Sequence, residues 1–115
     1  MALTVLLALV AGFFAGNGLP YFLQGSLGEG RNPSPFPDRP AVAVATGVGC
    51  FLIAGTAWAF ANVSEHPLAG WLAAGAGVLA VGLIHARTWR DADPWGKRTR
   101  RAAAAARRAT SVESV

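Results

Sequence analysis

The chain has 115 residues, 53% of them hydrophobic and only 14% charged, with a mean hydropathy of +0.39 and a formal net charge of +4. An ordinary soluble domain carries about 25% charged residues, and a single cysteine builds no disulfide framework. Soluble globular domains, disulfide scaffolds and disordered acidic chains are therefore excluded, and the apolar part holds too few ionisable groups for most enzyme sites. The charge is also lopsided. Residues 1–86 hold Glu29, Arg31, Asp38, Arg39 and Glu65, net −1, whereas residues 87–115 carry net +5.

Three uncharged apolar segments, about 2–22, 41–63 and 67–86, each supply the ~20 residues needed to cross ~30 Å of hydrocarbon. None shows the polar stripe every ~3.6 residues that a soluble bundle requires. The expected fold is all-α: an integral membrane three-helix bundle over 1–86, then a basic, partly disordered tail over 87–115. A cleaved signal peptide competes for the first segment. That reading lacks a basic n-region, and the apolar run exceeds the ~7–15 residues of such peptides. Pro20 predicts a kink or stop near the end of the first span. The short 64–66 turn predicts that the second and third spans are antiparallel neighbours, with Pro67 in the first turn of the third.

Every Lys and Arg lies either in the 29–40 connector or after residue 86. With three spans these two regions share a side, so the positive-inside rule puts the N-terminus outside and the C-terminus inside. The Ala, Gly and Arg bias, with Lys97 the sole lysine, suggests a bacterial chain. The expected location is the bacterial cytoplasmic membrane, spanned several times. Trp58, Phe60 and Trp71 are expected in an outer aromatic belt, and Tyr21, Phe22, Trp89 and Trp95 in an inner one. Small residues four apart suit close helix crossings: Gly12 with Gly16, Ala41 with Ala45 and Gly49, Ala57 with Ala61, Ala73 with Gly77, and Ala76 with Ala80. Such rows serve equally within one chain, in a homo-oligomer or in a larger membrane assembly.

The connector is the most distinctive stretch. Pro33, Pro35, Pro37 and Pro40 favour an extended, polyproline-like strand, read as a stiff spacer. Asn17, Gly18, Pro20, Tyr21 and Phe22, followed by Pro33, Ser34, Pro35 and Phe36, form a pattern. It resembles a loose group of short, uncharacterised three-span bacterial membrane proteins. That group has an Asn-Gly-x-Pro-His/Tyr-Phe segment and a Pro-Ser-Pro-Phe-like loop. Tyr21 stands where His is commoner, and the resemblance implies a span layout but no activity.

In the tail, Asp91 and Asp93-Pro94 suggest a turn or cap, and residues 97–108 a basic helix with charges on several faces. Arg87, Arg90, Lys97, Arg98, Arg100 and Arg101 are expected to contact headgroups of the anionic inner leaflet, at ~1 kcal/mol each. The absence of aromatic interleaving beyond Trp95 argues against a nucleic-acid partner.

Chemistry-bearing residues are scarce. Two histidines and one cysteine make no four-ligand metal centre, and no carboxylate pair lies within the spans. The Gly-rich stretch 25–30 lacks the lysine of a phosphate loop, and Cys50 reads as a small apolar residue. No catalytic, cofactor-binding or metal-binding residues are expected, and no cofactor. One constellation remains: Asn17, Thr46 and His85 fall at similar depth near the inner span ends, so Asn17 and His85 are expected within hydrogen-bonding or water-bridged reach. The functional expectation is a non-enzymatic accessory or scaffold protein acting by helix packing. The alternatives are a holin-like pore former and a small oligomeric transporter subunit.

Overall fold

The computed structural model describes residues 1–90 and 93–114; Asp91, half of the expected tail turn, lies outside them. Four helices follow in chain order: α1 (Ala2–Ser26), α2 (Pro40–Phe60), α3 (Pro67–Thr88) and α4 (Lys97–Glu113). The first three are long and apolar enough to cross a membrane. Pro40 and Pro67 each open a helix at its first position, where the missing N–H leaves no bond unmade.

Pro20 neither stops nor shortens α1, which continues six residues past it to Ser26. Proline is tolerated inside membrane-crossing helices because neighbouring helices and local adjustments relieve the freed carbonyl. Here the carbonyl that Pro20 would clash with belongs to Gly16, a residue without a side chain to crowd the kink. The helix ends where Gly28 adopts φ +81°, and the amides of Leu27, Gly28 and Glu29 turn back onto the carbonyls of Leu23, Gly25 and Gln24. At the opposite end Asn62 takes φ 49°, a left-handed conformation to which Asn is suited, and so reverses the chain between α2 and α3.

The helices are apolar on every side, so polarity does not choose the inward face. Size does. The buried positions are Thr4, Ala8, Ala11, Gly12, Gly18, Tyr21 and Gly25 on α1. On α2 they are Ala43, Gly47, Cys50 and Ala54, and on α3 Gly70, Ala73, Gly77 and Val81. Spacings of three and four residues put the α2 set and the α3 set each on one stripe, while the α1 set covers a wider face because both neighbours pack on it. Large side chains such as Leu52, Leu72, Trp71 and Leu83 lie outside instead. A water-soluble core would reverse that arrangement. In lipid there is nothing to gain from hiding leucine, and close backbone approach holds the helices together.

That approach is tightest where α1 meets α3: a Cβ added to Gly12 would stand 1.9 Å from the Ala74 carbonyl oxygen, and one on Gly77 2.2 Å from that of Leu9. Gly18 and Gly47 form the equivalent crossing of α1 with α2. The Ala41, Ala45 and Gly49 row is turned away from this interface, with nothing within 4 Å of a Cβ on Gly49.

Both α2 and α3 pack along α1, and no backbone contact joins α2 to α3. The expectation that the short turn makes α2 and α3 neighbours is therefore narrowed: they meet through the Trp58–Trp71 pair, and their backbones pack on α1. The turn lets the two helices diverge around the narrow spine of α1, whose Ala and Gly residues admit a helix on either side. Between them opens an apolar groove floored by Ala11, Gly12 and Ala15 and bordered by Trp58 and Trp71, whose rings lie 4.9 Å apart.

The long axis measures 71 Å against 22–23 Å across. A 25-residue helix accounts for about 37 Å of this. The rest is the tail, where α4 continues beyond the spans and makes no contact with them past its first turn. At ~100° per residue, Lys97, Arg98, Arg100, Arg101, Arg107 and Arg108 all fall within about half of the α4 circumference, with the Ala-rich remainder opposite. The charges are one-sided, not spread over several faces.

Candidate functional site

The polar residues gather at one end, where the 27–39 connector, the end of α1, the ends of α2 and α3 and the start of α4 meet. In the connector, the Asn32 side chain donates to the Gly30 carbonyl at 2.7 Å and accepts the Ser34 amide at 3.0 Å; the Ser34 hydroxyl also donates to it. The Phe36 amide donates to that hydroxyl at 3.2 Å. Asn and Ser thereby replace the ladder bonds that a proline-rich strand cannot form. The connector is a folded loop with Asn32 and Ser34 buried, not an open polyproline strut.

Lys97 holds it. The ammonium is only 7% exposed and donates to the Ser34 and Phe36 carbonyls, each at 2.8 Å, and to Asn32 Oδ1 at 3.3 Å. Asp38 Oδ1 neutralises it at 2.7 Å in an ionic contact off the hydrogen-bonding direction. Asp38 Oδ2 accepts Arg98 Nε at 2.8 Å. Burial alone would raise the Asp38 carboxyl, but the close Lys97 ammonium and the charge and hydrogen bond of Arg98 outweigh it and hold the pKa below the ordinary 3.8. Asp93 closes the start of α4: its carboxylate accepts the Thr99 amide and hydroxyl and the Arg98 amide. These bonds, that to the Thr99 amide first, bring its pKa down to about 2. Lys97 and Arg98, expected at the headgroups, are engaged by the connector through buried carbonyls and the Asp38 carboxylate. Arg87, Arg90, Arg100 and Arg101 are exposed.

Behind this junction lies a cavity of about 370 Å³ between the helices, with Pro35, Phe36 and Trp95 across its mouth. His85 Nε2 lies 2.9 Å from Asn17 Oδ1, and Asn17 Nδ2 donates to Cys50 Sγ at 3.2 Å. With the amide nitrogen committed to sulfur, Asn17 Oδ1 is the acceptor, and His85 carries its proton on Nε2. Asn17 and His85 therefore come together from α1 and α3. Thr46 lines the same cavity, but its hydroxyl donates to the Val42 carbonyl at 2.8 Å, as threonines in apolar helices commonly do. Tyr21, expected in an aromatic belt, is instead 7% exposed and packs tilted against Trp89 at 5.5 Å and edge-on against His85 at 6.1 Å. The Trp89 indole N–H is buried without a partner among the described residues, an arrangement that ordinarily costs about 1–3 kcal/mol.

Sequence reasoning gave Asp38 and Asn32 no site role and gave Lys97, Ser34, Cys50 and Trp89 other ones. A usable signal existed for some of them: a sole lysine among arginines, and an Asn-x-Ser pair that makes local turn bonds. Among the described residues no three His, Cys, Asp or Glu side chains converge as metal ligands. No family model matches the chain, and no curated protein or solved structure shows significant similarity to it.

Proposed function

We propose that the chain is a non-enzymatic accessory or scaffold component of the bacterial cytoplasmic membrane, with its N-terminus outside and its C-terminus inside. The observation that supports this reading is the Lys97 junction. It ties the connector to α4, so that a one-sided basic helix stands as an ordered projection from a compact membrane base. A topology signal alone requires only charge, not a buried four-partner clamp. Anchoring in the bilayer and presenting α4 to an acidic face of a larger assembly is what such a clamp achieves.

The test is purification in mild detergent beside a form truncated after Gly96. The full chain should co-purify with a partner at fixed stoichiometry, and the truncated form should lose it. Dye release from reconstituted vesicles would transfer the assignment to a holin-like pore. Substrate-driven flux abolished by His85→Ala would transfer it to a transporter subunit, the reading that the Asn17–His85 contact within a cavity favours.

A further inference from the structure

A second cavity, a cleft of about 360 Å³, lies beside the junction and shares Arg98 with it. Its wall is assembled from separate segments: Gln24 near the end of α1, Arg31 in the connector, Thr88, Trp89 and Arg90 at the end of α3, and Arg98. Arg31, Arg90 and Arg98 line this space together with Glu29; Arg98 is already paired with Asp38 and Arg31 has a partner of its own, so Arg90 supplies the uncommitted guanidinium among the described residues. The side chains of Gln24, Thr88 and Arg90 make no hydrogen bond to another described residue, and the buried Trp89 indole N–H is unpartnered.

Arginine near a helix C-terminus commonly serves to cap the last carbonyls. Much of that need is met within the backbone. Backbone amides take the carbonyls of Leu23, Gln24 and Gly25 on α1 and of His85 and Arg87 on α3. The remaining donors, Arg90 with Thr88 and Gln24, suit an acceptor-rich anion, and a planar guanidinium fork matches a tetrahedral oxyanion. The depth matters too. The cleft sits at the ends of two membrane-length helices, the level at which phospholipid phosphates lie.

We propose that this cleft is a discrete binding site for a phosphate oxyanion, supplied by the headgroup of a phospholipid whose chains lie against the spans. Arg90 is the principal cationic ligand, with Thr88 and Gln24 as neutral donors.

The experiment measures lipid retained by the full-length chain after extraction in mild detergent, by native mass spectrometry with phosphatidylglycerol added back. One phospholipid should remain per chain. Arg90→Gln combined with Thr88→Val should weaken retention at least tenfold. Arg100→Gln combined with Arg101→Gln removes more charge outside the cleft and should leave retention unchanged. Circular dichroism on each variant keeps folding separate from binding. A parallel arm titrates inorganic phosphate against the fluorescence difference between the parent chain and Trp89→Phe. Saturation by phosphate that phosphatidylglycerol then displaces supports the lipid source. Saturation without displacement upholds the oxyanion site but overturns the lipid as its ligand. Equal loss in both variant pairs, or no response to either probe, overturns the site.

Discussion

Lys97 is the sole lysine among ten basic residues, and its position explains why. A compact ammonium with three rotatable donors can serve Ser34 O, Phe36 O and Asn32 Oδ1 together, while a planar guanidinium cannot. Removing one partner of a buried ion pair typically costs about 3–5 kcal/mol. Asp38→Asn should therefore release the connector, read as faster exchange of the Ser34 and Phe36 amides and new tryptic cleavage after Lys97. Lys97→Met, which removes all four contacts to the connector, should speed exchange of the same amides even though Asp38 keeps Arg98. The pH dependence follows from two lowered carboxyl pKa values. Such groups add stability that is complete above the ordinary carboxylate pKa and is lost as pH falls through the folded value. The start of α4 should hold at pH 4 and fray towards pH 2, where Asp93 takes up its proton, visible as declining helical circular dichroism.

Among the helices, glycine decides what can touch. Gly12→Ala puts a methyl group on top of the Ala74 carbonyl, with no flexible side chain to give way, so α1 and α3 must part. Overpacking of this kind costs about 1–3 kcal/mol. Gly75→Ala, on the open side of the same α3, meets nothing within 4 Å and should change stability by less than about 0.5 kcal/mol. Thermal unfolding of the two variants in detergent checks the contrast. Equal Tm shifts would mean that the crossing is not made at Gly12. The rows of small residues were visible in the sequence, yet Gly12 with Gly16 and Ala73 with Gly77 proved to face inward while Ala41, Ala45 and Gly49 did not. Spacing alone could not distinguish them, because a helix apolar all round has no polar side to orient it.

Taken entire, the molecule is a rod of 71 Å, a three-helix membrane-length base with α4 continuing its long axis. Arg107 and Arg108 then stand roughly 15 Å or more along α4 from the clamp at Lys97. A nitroxide placed at Ser111→Cys in a Cys50→Ala background should be quenched by a water-soluble relaxant and not by lipid-dissolved oxygen. The opposite profile would lay α4 along the bilayer.

Composition and charge spacing were enough to mark three membrane-length helices, the connector and the basic tail, because hydrocarbon thickness and the cost of charge within it act on local sequence. The depth match of Asn17 and His85 was also readable, since residue count along a span measures depth. The choice of α1 as the spine, the divergence of α2 from α3 and the burial of Lys97 required the folded chain. Each depends on fit between surfaces far apart in sequence, Asn32 and Lys97 being 65 residues apart. In an apolar chain that fit is governed by side-chain volume and by where a few polar groups find partners, neither of which leaves a periodic trace.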